Sequence, residues 1–261
     1  MEIAESASGI VWSTGLQNPG IESFVEEELP QFARMGAPVI ASIAGGTLEE
    51  FVKLASLLQA RPGVVAIETQ ISGPDEELHR DVLGAQPERA SEIVGAVARM
   101  SMIPVFAKLP PFAPDIVEVA HACVRAGATG VTLVDALPAL AVDADRLGPE
   151  LGGALGWLSG PAIRPIALRA IHDVARALPE VPIMGCGGVR TGRDAAEMMI
   201  AGAWAVQVGT ATIVDPTAPV RIAVELAAFL KSKRMAAPAE LRRGPGEHAV
   251  RPTVTPEGAA T

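Results

Sequence analysis

The stretch between residues 181 and 212, VPIMGCGGVRTGRDAAEMMIAGAWAVQVGTAT, constrains the fold more than any other part of the chain. Pro182-Ile183-Met184 is a short apolar run that Gly185-Cys186-Gly187-Gly188 stops. Apolar residues at helical spacing follow over 194–201, and a second strand, Ala205-Val206-Gln207-Val208, ends on Gly209-Thr210. Two successive strands thus end on bare backbone N–H groups. Only glycine lets the main chain approach a phosphate that closely, and a (β/α)8 barrel builds such a site from the loops after its last two strands. Gly187-Gly188 and Gly209-Thr210 are the candidate pair. The competing reading is a set of helix entries and tight turns that hold no ligand.

The same strand–helix unit recurs upstream. Residues 38–45 read as a strand, and 47–59 as an amphipathic helix capped by Thr47 with Glu50 three positions on. Further strands are expected at 64–71, 104–109 and 130–135, with helices at 90–100, 115–126 and 163–178. Residues 136–160 read as a long irregular insertion, and 220–231 as a closing helix. Strands alternating with helices call for a parallel sheet, and a TIM (β/α)8-type barrel is the expected fold. Only about six βα units are evident, because residues 9–12 make at most a hairpin strand and 20–34 a helix. The expected organisation is one barrel domain over 1–235 and a disordered, Pro- and Gly-rich tail over 236–261.

Composition narrows the function classes. A hydrophobic fraction of 49% suits a buried parallel sheet, while a formal charge of −9 argues against nucleic acid or an anionic membrane as partner. The only cysteines, Cys123 and Cys186, imply no disulfide framework. No secretory signal and no bilayer-length apolar run is visible, so a cytoplasmic location is expected.

Three segments carry a resemblance: TGLQNPG (14–20), LSGPAIRPIALR (158–169), and MGCGGVRTGRDA continuing to VQVGTA (184–211). Together they resemble the dihydroorotate dehydrogenase family, closest to its NAD-linked, cytosolic class 1 type. The resemblance implies FMN at the C-terminal ends of the barrel strands, and two βα units ahead of those seen here. It also implies an iron–sulfur flavoprotein partner subunit; a homo-oligomer is the other arrangement expected. Lys108, a charged residue at a strand end, matches a lysine that contacts the flavin. Gly160, Gly187, Gly188, Gly209 and Thr210 match the phosphate cradle, and Val134 a residue backing the ring. Ser42 and Gln70 stand at cofactor-side positions, Gly15 and Leu16 at substrate-side ones.

The departures are chemical. The family loop Asn-x-Ser-Cys-Pro-Asn carries a cysteine base, but here the stretch is Gln70-Ile71-Ser72-Gly73-Pro74-Asp75. Gly73 cannot take a proton, and Ser72 points the opposite way along an extended chain. Trp12 and Asp75 replace substrate-holding asparagines, and Asp135-Ala136 replaces an Asn-Thr pair. Ionised aspartates only accept hydrogen bonds and repel an anion such as orotate. Three functions follow from the resemblance. The first is an FMN-dependent oxidoreductase that exchanges hydride between flavin N5 and a changed small-molecule substrate, neutral or cationic. The second is a dihydroorotate dehydrogenase of pyrimidine biosynthesis using another base. The third is a non-catalytic barrel that binds FMN or a phosphate ligand.

Overall fold

The computed structural model describes residues 2–15, 17–73, 82–152 and 155–242. The chain opens with a hairpin, β1 (Ile3–Ser6) and β2 (Gly9–Trp12). A helical segment follows: α1 (Ile21–Ser23), a π-helical stretch (Phe24–Glu28) and α2 (Leu29–Arg34). Strands and helices then alternate through β3 (Val39–Ile43), α3 (Leu48–Leu58), β4 (Val64–Gln70), α4 (Pro87–Met100), β5 (Val105–Leu109), α5 (Ile116–Arg125) and β6 (Gly130–Leu133). Four short strands come next, β7 (Leu137–Ala139), β8 (Val142–Asp143), β9 (Gly148–Pro149) and β10 (Gly156–Ser159). The alternation resumes with α6 (Arg164–Ala177), β11 (Ile183–Cys186), α7 (Gly192–Ala201), β12 (Ala205–Gln207), α8 (Thr210–Val214) and α9 (Ala218–Ser232).

Local chemistry sets the helix boundaries. Thr47 accepts from the Glu50 backbone N–H at 3.3 Å, and Glu50 reaches back to the Gly46 N–H at 2.7 Å. Thr191 and Asp194 form a full capping box at the start of α7. Asp115 caps α5 by accepting from the N–H groups of Val117 and Glu118.

The six expected strands form one parallel sheet in the order β12-β11-β6-β5-β4-β3. It is an open, curled half-barrel. Pairing register decides which side chains meet. One row runs Ser42, Glu68, Phe106, Gly130, and the next Gln70, Lys108, Thr132, Met184, with Cys186 opposite Gln207 above them. Side chains alternate along a strand, so these rows share the concave face. The other face offers Ile43, Ile67, Ala107, Val131, Leu133 and Ile183, all buried under the ring of helices α3 to α7. Low in the concave face, Phe106 fills the space that Gly130 leaves; a Cβ there would sit 2.6 Å from its ring.

Two expectations need correction. The insertion expected to be irregular forms strands: β10 pairs with β2 and β7 in a second, antiparallel sheet ordered β1-β2-β10-β7. Its pairing is with the far N-terminus, so no local periodicity announces it. The first part of the tail expected to be disordered over 236–261 forms a 3-10 turn, Pro238–Arg242, and residues 243–261 lie outside the described residues. Leu241 is buried beside Met199 and Leu230, and the Arg242 guanidinium lies 4.0 Å from the Trp204 ring centre. No helix among the described residues is long and apolar enough to cross a membrane.

Candidate active site

The concave face carries a buried carboxylate. Glu68 is 3% exposed, and its Oε2 accepts from the Thr132 hydroxyl at 2.7 Å and the Gln207 amide at 2.6 Å. Its Oε1 accepts from the Ser42 hydroxyl at 3.2 Å and faces the Lys108 ammonium at 3.5 Å. Lys108 also donates to Gln207 Oε1 at 3.4 Å, which orients that amide with its NH2 toward the carboxylate. Burial works against the charge on Lys108, yet Cys186, Glu68 and Asp135 together hold its pKa above the usual lysine range. Burial keeps the Cys186 thiol protonated, so at neutral pH the holding field comes from Glu68 and Asp135.

Above this network lies a cavity of about 480 Å³. Lys108, Gln70, Cys186, Val134 and Asp135 form its floor at the strand ends, and Trp12, Thr14 and Gly15 its opposite side. Gln70 donates to Asp135 Oδ2 at 3.0 Å, and the Asp135 Oδ1 accepts from the Ala136 N–H at 2.9 Å. Val134 is fully buried, with its N–H donating to the Cys186 carbonyl at 2.8 Å. The N-terminal hairpin is pinned over the mouth. Trp12 Nε1 and the Thr210 hydroxyl both donate to the Ser159 Oγ, at 3.1 and 2.9 Å, and the Ala162 N–H donates to the Ser8 carbonyl at 2.8 Å.

One wall of the cavity is the glycine cradle. Gly160, Gly188, Gly209 and Thr210 line both this cavity and an adjoining one of about 370 Å³ that reaches Arg190 and Arg221. Gly188 has φ +75°, and a Cβ on it would stand 2.8 Å from the Gly160 carbonyl oxygen and 3.0 Å from Pro161 Cα. The backbone there closes around a space no side chain could share. Among the described residues, the N–H groups of Gly188, Gly209 and Thr210 donate to no protein acceptor. Arg164 is held beneath by Asp194, at the start of α7.

Most residues singled out in the sequence therefore converge: Gln70, Lys108, Val134, Asp135, Gly160, Gly187, Gly188, Gly209, Thr210 and Gly15 line one cavity. Ser42 does not; it bonds Glu68 from below and lines a separate groove along β3. Gly73 lies outside the lining, and the neighbouring Ser72 hydroxyl is buried without a partner among the described residues and also absent from it. Leu16 and Asp75 lie outside the described residues. The sequence reading missed Glu68, Thr132 and Gln207. Glu68 stands two residues before Gln70 on one strand, so period-2 alternation could have placed it on the same face.

A half-barrel of parallel strands whose C-terminal ends hold a lysine, a polar floor and a glycine-lined wall is the framework of an α/β-barrel enzyme. Residues 2–230 match the family model described as dihydroorotate dehydrogenase. The chain is 44% identical over 234 residues to the catalytic subunit of dihydroorotate dehydrogenase B (NAD(+)) from Geobacter sulfurreducens, covering 90% of this chain and 76% of that one. It is 42% identical over 228 residues to the namesake subunit from Desulforudis audaxviator, covering 87% and 74%, and 41% identical to that from Geobacillus kaustophilus, covering 87% and 72%. The chain belongs to the dihydroorotate dehydrogenase family, nearest its NAD-linked catalytic-subunit type. It is an oxidoreductase of that general kind, and the family works with a flavin.

Proposed function

We propose that the chain binds FMN and exchanges hydride with a small substrate other than dihydroorotate. The observation that carries the cofactor half is the cradle. Gly188, Gly209 and Thr210 offer unused N–H groups where a Cβ on Gly188 would collide with backbone, which suits a phosphate monoester. When bound, FMN supplies the hydride acceptor or donor. Lys108 spends two directions on Glu68 and Gln207 and keeps a third N–H for a ligand at the strand ends. Val134 and Trp12 give the cavity apolar surface on two sides.

The substrate half rests on what stands at the family's base position. Gly73 has no proton acceptor, and Ser72 is turned into the interior away from the cavity. Removing a C–H proton beside a carbonyl needs a base within about 3 Å, or one water further, in a bound complex. Among the described residues, Asp135 is the carboxylate that lines the cavity. The relatives' names denote a catalytic subunit, and we propose for this chain too a second subunit, an iron–sulfur flavoprotein, that takes up the electrons. The test of the cofactor is the flavin released from the purified protein by heat and separated by chromatography. One FMN per chain supports the reading. FAD, or no flavin after incubation with FMN, refutes it.

A further inference from the structure

Only two charged side chains line the cavity among the described residues, Lys108 and Asp135. Simple counting would pair them and leave the site neutral. The geometry does not allow that count. Lys108 already faces Glu68, a carboxylate with 4% side-chain exposure sunk directly below it, so the Lys108 charge is balanced before any ligand arrives. Cys186 is a protonated thiol and adds nothing. Asp135 is then the uncompensated charge. Its partners are neutral, the Gln70 amide and the Ala136 N–H, and each carboxylate oxygen keeps a lone pair for a further donor.

We infer that this site selects a ligand with no carboxylate that donates an N–H to Asp135, a neutral or cationic nitrogen-bearing ring or chain, with Glu68 enforcing that choice by neutralising Lys108. This rests on the flavin reading above, since the same cavity holds both. The net charge of the floor, Glu68, Lys108 and Asp135 taken together, is one negative unit. A ligand carboxylate placed within a few ångströms of Asp135 meets repulsion from it. An N–H meets the opposite.

Orotate and uracil share a ring and differ by one carboxylate, so they isolate the effect. Calorimetric titration of each into the purified protein, whose visible spectrum reports its flavin content in the same sample, gives two separate readouts. Wild type should bind uracil at least ~10-fold more tightly than orotate, and Asp135→Asn should gain ~10-fold or more for orotate with little change for uracil. Glu68→Gln, which releases the Lys108 charge from the other side, should move orotate in the same direction. Flavin-loaded wild type that binds orotate as tightly as uracil overturns the inference and leaves the FMN reading standing. Neither ring binding to any of the three proteins also overturns it. Absence of flavin refutes the FMN reading instead, and the orotate-to-uracil ratio is still read from the same titrations.

Discussion

Glu68→Ala is the most informative single change to the fold. It removes the acceptor for Ser42, Thr132 and Gln207 and leaves Lys108, with 15% side-chain exposure, without its ion-pair partner. Breaking a buried ion pair by deleting one partner costs about 3–5 kcal/mol, chiefly from the stranded charge. The orphaned Thr132 hydroxyl, fully buried, has no water to turn to and adds to this. We expect a loss of about 4 kcal/mol, a large share of the roughly 5–15 kcal/mol that stabilises a typical domain. Urea denaturation followed by far-ultraviolet circular dichroism reads it; with a slope of about 2 kcal/mol/M the midpoint falls by about 2 M. The cause is checked with Glu68→Ala combined with Lys108→Met, which removes both charges and should recover about half the loss. A Glu68→Ala midpoint within about 0.5 M of wild type, or a double variant less stable than the single, would refute the stranded-charge argument.

Other expectations test separate parts of the account. Gly188→Ala must adopt φ +75° with its Cβ 2.8 Å from the Gly160 oxygen, so it should destabilise by about 2–4 kcal/mol and abolish flavin retention. Gly209→Ala meets nothing within 4 Å among the described residues, so its stability should stay within about 0.5 kcal/mol of wild type while FMN affinity falls; equal stability losses in the two variants would count against the cradle. Burial pushes the Cys123 thiol up to about 12 from 9.0. Between those values the unfolded chain has released a proton the native one keeps, so stability falls as pH rises, by about 2 kcal/mol from pH 9 to about 10.5. Cys123→Ala should flatten that slope; an unchanged slope would contradict it. Gly73→Cys meets no clash among the described residues, none of which comes within 4 Å of a Cβ there. Combined with Asp135→Asn it should raise flavin reduction by dihydroorotate about 100-fold, measured anaerobically by stopped flow, and no increase would mean the missing base is not what limits the reaction.

Much of the fold was legible because parallel strands buried on both faces read as nearly unbroken apolar runs. In such runs Lys108 stood out as a charge with no solvent to face. Alternation puts Glu68 on the same face as Gln70, but its meeting with Lys108, Thr132 and Gln207 emerges only from the register of five neighbouring pairs, which is not a local property. The β1-β2-β10-β7 sheet escaped for the same reason: Trp157 pairs with Trp12 across most of the chain. The ordered turn Pro238–Arg242 was hidden by its composition. Proline and charge there read as disorder, but Leu241 and the Arg242 contact with Trp204 tie it to α7 and α9. That Gly187, Gly188, Gly209 and Thr210 would meet was legible because they follow two successive parallel strands, whose ends lie side by side. The consequence of Asp135 was only half legible. That it repels an anion follows from its type, but that Lys108 cannot cancel it follows from Glu68 alone.

The central claim is that this barrel keeps its flavin half and has lost the dihydroorotate half. The direct test is the visible absorption spectrum of the purified protein before and after anaerobic addition of dihydroorotate. The account predicts the absorption of oxidised flavin, unchanged by dihydroorotate. A flavin spectrum that bleaches would show that the family reaction proceeds with Gly73 at the base position, and would contradict the account.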